Sequence, residues 1–458
     1  MQKSALVKIQ DWLWEIPKTT RADMRVPARI YATEEMLDTI LRDRSIDQLV
    51  NVATLPGIRR WAIAMPDVHE GYGFPIGGVA AVDPEEGIIS PGGIGYDINC
   101  GVRLLRSSQK VADLLSDLPQ LVHSIAREIP SGVGRGGHLR LQKDEFDRVL
   151  EQGAARAVEM GYGDPGDLER IESRGVIEGA DPHAVSEHAR ARGSDQLGTI
   201  GAGNHFVEID RVEMILDADE AGRLGLDRDR IVVLIHTGSR GLGHQVATDF
   251  LRRMQRSDVP VPDRELACAR FRSPEGQEYF HAMSAAANFA FANRQVITAG
   301  IRRAWKHHFG ASGVLDLVYD VAHNVAKLER HEIGEVLVHR KGATRAFPGQ
   351  PVLIPGSMGT ASYVLVGLPG AMEQSFGSTC HGAGRTMSRT RARQQIEAGE
   401  LRARLKQAGI VAEAGSSKGL VEEAPEAYKD IDAVVDIVDR AGIARKVARL
   451  VPVGVVKG

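Results

Sequence analysis

Five short segments of this chain gather histidine, cysteine, aspartate or asparagine, four of them beside glycine, the residue types from which chemistry is built. Between Pro91 and Gly101, Asp97 and Cys100 stand three apart in a glycine-flanked turn. A carboxylate and a thiolate held that way can address one metal ion, or the sulfur can bridge two. A tight turn around a buried cysteine would look the same. Between Gly198 and Glu208, Asn204 and His205 close a glycine-rich loop whose N–H groups suit phosphate oxygens. His236 ends an apolar run, and the Gly-Ser-Arg-Gly after it opens a helix, an arrangement that binds anions, with Arg240 as a natural phosphate clamp. His244, further on, is expected to be structural. His323 and Asn324 follow another apolar run, where a satisfied core histidine is the plainer alternative. Last, His381 lies between Cys380 and Gly382, with Arg385 four positions on. So unencumbered an imidazole suits a nucleophile better than packing. Cys380 is not favoured for that role, because adjacent residues seldom face one another.

Asp97, Cys100, His205, His236 and His323 together offer a carboxylate, a thiolate and three imidazoles. That mixture selects a divalent transition metal over magnesium or calcium. Five ligands exceed the three or four of one catalytic zinc, so two metals are expected. Two metals beside phosphate-binding loops point to phosphoryl or nucleotidyl chemistry. The residues alone do not separate a phosphodiesterase from a nucleotidyl transferase, and they do not name a base.

These groups need elements to hold them. Apolar spacing predicts helices over Glu34–Val50, Lys110–Glu128, Lys143–Met160, Pro274–Phe309, Ser388–Gln407 and Ile431–Leu450. Short apolar runs predict strands over Ile231–Ile235, Leu315–Tyr319, Glu335–His339, Pro351–Ile354, Tyr363–Val366 and Val451–Val456. Helices and strands do not alternate strictly, which favours an α+β fold over a doubly wound parallel sheet. No linker, repeat or low-complexity tract divides residues 1–458. The expectation is one large domain, with a β-sheet core carrying the metal site and helices packed around it.

Composition narrows the classes. Fifty-seven basic and 60 acidic residues give a formal charge of −3, so a nucleic-acid surface has to be local. Basic stretches at 302–306 and 388–393 could carry an RNA backbone, or could simply be solvated helix faces. A 5% aromatic content argues against a stacking platform, and hence against a purely non-catalytic RNA-binding role. Three scattered cysteines with no CxxC pair fit neither a disulfide scaffold nor a zinc knuckle. The N-terminal residues lack the apolar core of a signal peptide, and no apolar run approaches a membrane span. The chain therefore reads as cytoplasmic, with no membrane partner.

With these segments in view, the chain resembles the RtcB family of RNA-splicing ligases. The motifs are MPDVHEGYGFPIGG (65–78), GGIGYDINCGVR (92–103), QLGTIGAGNHFVEI (196–209), HTGSRGLGHQV (236–246), DVAHN (320–324), RKGATRA (340–346), PGSMGTASYV (355–364), CHGAGR (380–385), EAPEAYKD (423–430) and PVGVVKG (452–458). They span nearly the whole chain. Departures are mild: Thr237 and Ala202 stand where the resemblance leads one to expect serine. The resemblance implies a ligase that uses GTP as cosubstrate and two Mn²⁺ ions. It would join RNA ending in a 3′-phosphate or 2′,3′-cyclic phosphate to RNA with a 5′-hydroxyl. His381 would carry GMP as a phosphoramidate. Asp97, Cys100 and His205 would hold one metal, and Cys100, His236 and His323 the other, sharing the thiolate. GMP contacts would fall to Asn204, His205, Phe206, Val207, Glu208, His323, Asn324, Pro355, Gly356, Ser357, Met358, Ser362, His381, Gly382, Ala383, Gly384, Tyr428 and Lys457. Glu208 could accept from guanine N1–H and N2–H. Asp67 and His69 would support the ligands or touch substrate, and Arg240 and Arg385 would contact RNA phosphate or triphosphate. Family members can be assisted by archease, a small activator protein. Two other readings stay open: the same guanylylation chemistry on another acceptor such as DNA ends, and a dinuclear metallophosphodiesterase.

Overall fold

The computed structural model describes every residue except Leu115 and Val133, and every side chain but those two and those of Ser417 and Lys418. Among the described residues, two large, mainly antiparallel sheets form the centre. The first runs in the order Val7–Gln10, Leu13–Ile16, Ala28–Tyr31, Ala62–His69, Ile76–Val82, Gly334–Lys341, Asn324–His331. The second runs Leu315–Ala322, Gly101–Lys110, Arg230–Thr237, Phe206–Ile215, Ala444–Lys457, Ser362–Gly367, Pro351–Ile354, with Val411–Ala414 added in parallel to Ala444–Lys457. The second sheet curls until its edge strands Leu315–Ala322 and Pro351–Ile354 approach each other. Its enclosed face carries Val102, Leu104, Phe206, Val232, Leu234, Val318, Leu353 and Val364, an apolar set that closes the curl by excluding water. The architecture is α+β in a single domain.

The outer face of that sheet is covered by the helix Pro274–Phe309, with the bounds its sequence predicts. Ser273 caps it by accepting from Gly276 N–H, Pro274 occupies its first turn, and Lys306, His307 and His308 sit in its last turn, where the helix dipole favours cations. Its alanine-rich middle lets Lys143–Glu159 pack closely against it, and Leu150, Ala154, Ala286 and Phe289 share one core. Between the two sheets lie Ile63, Met65, Val79, Val336, Val338, Val352 and Leu365, closed off by the helix Ile431–Arg440.

Four helix predictions need correction. The Ile431–Leu450 helix ends at Arg440; Gly442 turns the chain at φ +67°, and Ala444–Lys457 is a 14-residue strand that absorbs the predicted Val451–Val456. Tertiary pairing with Phe206–Ile215 and Ser362–Gly367 overrides a helix-compatible apolar spacing there. The Lys110–Glu128 helix begins only at Leu118, because Lys110 completes the strand Gly101–Lys110; Leu115 lies outside the described residues. Glu34–Val50 is two helices, Glu34–Ile40 and Ser45–Val52, and Ser388–Gln407 is two, Arg389–Gln395 and Ala398–Gln407. In the last case Ile396 and Glu397 leave helical geometry at the break.

Strand register brings the chemistry together. Gly101 pairs with both Ala322 and Thr237, and Phe206 pairs with His236. Cys100 therefore stands one residue before its strand, His205 one before its own, and His323 one after, all at one end of the curled sheet beside His236. A small two-stranded ladder does the same for the fifth segment: Ala343 pairs with Cys380, which places His381 just beyond it.

Candidate active site

The five predicted ligands converge. Cys100 Sγ lies 3.4 Å from His205 Nε2 and 3.3 Å from His236 Nε2. His236 Nε2 lies 3.3 Å from His323 Nε2, and His205 Nε2 lies 2.7 Å from Asp97 Oδ2. Two groups able to hold an ion result, Cys100–His236–His323 and Asp97–Cys100–His205, each with its ligand atoms within 4.8 Å of one another and with Cys100 common to both. The donor set fits two transition-metal ions around one sulfur. His205 supports this: its Nδ1 lies 3.0 Å from Ile200 O, so the proton belongs there and Nε2 keeps its lone pair. Burial, with the neighbouring imidazoles, pushes His236 and His323 well below the usual histidine range, which keeps them neutral donors. Burial raises Asp97, but His205, Cys100 and Arg240 outweigh it and hold the carboxylate at about 2. Burial and Asp97 push the Cys100 thiol up; a bound divalent cation inverts that preference.

The loops that present these ligands are braced from below. Arg294, fully buried on the long helix, donates Nη1 to Asn99 O at 2.8 Å and to Thr237 O at 3.0 Å, and pairs Nε and Nη2 with Asp320 at 2.9 Å each. Arg103 joins the same carboxylate at 2.7 Å. One ion cluster thus ties together the three strands that lead to Cys100, His236 and His323. Gly238 leaves room for Asp97, since a Cβ there would stand 2.4 Å from Asp97 Oδ1.

His381 faces this centre from the facing wall of a cavity of about 840 Å³. Its ring centroid is 4.9 Å from that of His323. Its backbone N–H and its Nδ1 both engage Asp67 Oδ2, at 3.0 and 2.5 Å. Burial raises Asp67, but His381 and Lys429 outweigh it, so Asp67 stays ionised. His69, pushed down to about 4 by burial, turns its Nδ1 to Asp67 O at 2.9 Å and also lines the cavity. Gly384 makes the close approach possible: at φ +74° a Cβ would meet Asp67 O at 2.1 Å.

Asn204, Phe206, Asn324, Pro355, Gly356, Ser357, Met358, Gly382, Ala383, Gly384, Arg385, Tyr428 and Lys457 also line the cavity. Asn324 additionally donates Nδ2 to Asp97 O at 3.0 Å. Ser362 accepts from Gly356 N–H at 3.0 Å and so shapes the 355–358 loop. Lys457 Nζ stands 5.2 Å from the Phe206 ring centre. Glu208 is buried one step deeper than Phe206 on the same strand face, within reach of the Lys457 charge. Val207 points the other way, into the core under the long helix. Arg240 donates Nε to Thr199 Oγ1 at 3.2 Å and lies 3.4 Å from His205 Nδ1, which holds the loop that presents His205. Arg385 donates to Tyr428 Oη at 3.0 Å and to Glu423 at 3.3 Å, and its guanidinium covers the Tyr428 ring. His244 stacks on Tyr96 at the edge of the site.

Residue-by-residue reading missed three groups that matter here. Arg294 was detectable as the one charge in the Ala282–Ile301 stretch of its helix. Lys341 reaches the cavity with Nζ on Tyr72 O and Phe74 O at 2.7 and 2.9 Å, pushed down to about 7 by burial. Glu423 binds Arg385 and Arg389 beside Tyr428, and nothing in its local spacing marks it.

Residues 48–458 match the protein family described as tRNA-splicing ligase RtcB. The chain belongs to the RtcB family. A tRNA-splicing ligase RtcB from Thermococcus kodakarensis is 51% identical over 477 aligned positions, covering 99% of each chain. One from Pyrobaculum aerophilum is 50% identical over the whole of both chains. The RNA-splicing ligase RtcB of Mycobacterium tuberculosis is 50% identical across 90% of this chain and all of its own. The RtcB match includes every segment that contributes to the cavity wall except Asp43. No helix among the described residues is long and apolar enough to cross a membrane.

Proposed function

We propose that this RtcB-family chain is an RNA ligase that uses GTP and two Mn²⁺ ions to join RNA 3′-phosphate or 2′,3′-cyclic phosphate ends to 5′-hydroxyl ends, as in tRNA splicing or RNA repair. The observation that carries the reading is the placement of His381. Its Nδ1 is committed to Asp67, which leaves Nε2 as a free lone pair beside a cradle built for two metals.

Asp97, Cys100 and His205 would hold one ion, and Cys100, His236 and His323 the other; bound there, the ions would offset the negative charge that repels attack on phosphate. Glu208 and Lys457 would orient the nucleotide, with Phe206 against it. His381 Nε2 attacks the α-phosphorus of GTP, a P–N bond forms, and pyrophosphate leaves. An oxygen of the RNA 3′-phosphate then attacks the same phosphorus, the P–N bond breaks, and the imidazole is restored. The 5′-hydroxyl oxygen finally attacks the activated 3′-phosphate and expels GMP. A cyclic phosphate is first opened by hydrolysis in the same cavity. The logic is that of leaving groups: a bare phosphate monoester has a poor one, and GMP supplies a good one. Action in the cytoplasm and assistance by archease accord with this reading.

The test mixes one RNA ending in 3′-phosphate with one starting in 5′-hydroxyl, in Mn²⁺, with and without GTP. GTP-dependent joining, absent in His381→Ala, supports the ligase. GTP-independent hydrolysis without joining would favour a metallophosphodiesterase instead.

A further inference from the structure

His323 is the single residue between the strand Leu315–Ala322 of the curled sheet and the strand Asn324–His331 of the other sheet, so its place depends on how those two strands are joined. Leu315–Ala322 lies at one edge of its sheet, and a segment from much earlier in the sequence runs along its open side. Ile171 bridges Asp320 in parallel, and Arg170 O accepts from Asp320 N–H at 3.0 Å. The N–H of Ala322, two residues on, is taken by a side chain instead: it donates to Glu172 Oε2 at 2.9 Å. Glu172 Oε1 accepts from Lys327 Nζ at 2.5 Å. Lys327 belongs to Asn324–His331, so one buried carboxylate grips the chain on both sides of His323. Arg345 Nε stands 3.6 Å from the same oxygen and ends the strand Ala343–Arg345, whose first residue pairs with Cys380, next to His381. Burial raises Glu172, but Lys327 and Arg345 outweigh it and hold the carboxylate at about 2. The turn that presents it is strained: Ser173 and Arg174 both stand at φ +55°, a region that residues with a side chain seldom adopt. Lys327 Nζ also donates to Ser173 Oγ at 2.8 Å, which holds the turn in that form. Strain of this kind persists only where the surroundings over-determine it, and it gathers at sites whose geometry matters.

We propose that Glu172 is a positioning residue for the ion held by Cys100, His236 and His323. By fixing the chain at Ala322 and at Lys327, it sets where the His323 imidazole meets that ion. The inference rests on the two-ion reading of the site. Its effect is confined to one ion, because the ligands peculiar to the other are held from elsewhere. Asp97 Oδ1 accepts from Ser239 N–H at 3.1 Å, and His205 Nδ1 lies 3.0 Å from Ile200 O. Removing a group that orients a metal ligand typically weakens metal affinity about 10–100-fold.

The experiment is cobalt titration of the full chain, one ion at a time, read from the thiolate-to-cobalt absorption. His205→Ala leaves only the ion on Cys100, His236 and His323; His323→Ala leaves only the ion on Asp97, Cys100 and His205. Adding Glu172→Gln should weaken cobalt binding about 10–100-fold in the His205→Ala background and leave it unchanged in the His323→Ala background. Glu172→Gln strands the Lys327 cation in the interior. Should it fold poorly, Glu172→Leu with Lys327→Met removes both charges and leaves an apolar pair, which buried sites tolerate. That double variant still deprives Ala322 N–H of its acceptor, and it should give the same split. Equal losses in the two backgrounds would make Glu172 a general brace, and no loss in either would leave His323 positioned without it; each result overturns the proposal. A wild-type protein that binds a single cobalt ion would fail the two-ion reading itself, and the proposal with it.

Discussion

Asp67 Oδ2 accepts from both the backbone N–H and the ring Nδ1 of His381, so one buried carboxylate fixes the position and the tautomer of one imidazole. With Nδ1 protonated by that bond, Nε2 keeps the free lone pair that the proposed reaction needs. Asp67→Asn keeps the shape but lets the ring adopt the other tautomer. Self-guanylylation should then slow by about 10²–10⁴-fold, the range seen when such an orienting carboxylate is neutralised. Metal content by plasma mass spectrometry should stay at the wild-type value. Unchanged labelling kinetics would remove Asp67 from this role.

Cys100 belongs to both ligand groups, whereas His323 belongs to one. Cys100→Ala should therefore lose both ions, and His323→Ala only one. Cobalt loading reports this directly, because thiolate-to-cobalt charge-transfer absorption requires the sulfur. That band should vanish in Cys100→Ala and persist in His323→Ala. Two ions retained in Cys100→Ala would refute the shared thiolate.

Arg294 and Asp320 form a buried pair that reaches the backbone at Asn99 and Thr237. Arg294→Met leaves Asp320 short of one cation in a dry interior, a defect worth about 3–5 kcal/mol. Urea midpoints should fall accordingly, and cobalt affinity should weaken with them. Arg294→Lys keeps the charge but not the forked geometry, so it should recover only part of either quantity.

His339 is fully buried, and its Nε2 accepts from Ser90 N–H at 3.3 Å, which requires the neutral ring. Burial pushes it down to about 4, only partly opposed by backbone contacts at Leu337 and Ala80. Below about pH 6.5 the unfolded chain takes a proton at this residue and the folded chain does not, so stability falls as pH drops towards 4. The full loss from this group is on the order of 3 kcal/mol. Denaturant titrations at pH 7 and 4.5 should show a shallower decline in His339→Gln than in wild type. Equal slopes would mean that His339 titrates normally.

What could be read before folding follows from where information sits in a chain. Asp97 with Cys100, His205, His236 and His381 lie in short glycine-flanked motifs and His323 ends an apolar run beside Asn324, so each was legible locally. Their meeting depends on register, as when Phe206 pairs with His236 and Ala343 with Cys380, and register is a property of pairs of distant strands. The long helix was legible because Ser273 and Pro274 mark its start and no glycine or proline interrupts its alanine-rich middle from Ala282 to Ala299. The strand Ala444–Lys457 was not, because Val447 and Leu450 fit a helical stripe and only pairing on both sides fixes them extended.

The central claim is that His381 becomes covalently bonded to GMP. Incubation with α-labelled GTP and Mn²⁺, then denaturation, should leave label on the protein that is stable to alkali and released by acid, as a phosphoramidate requires, and none on His381→Ala. Label retained by His381→Ala, or no label on the wild-type protein, would contradict the account.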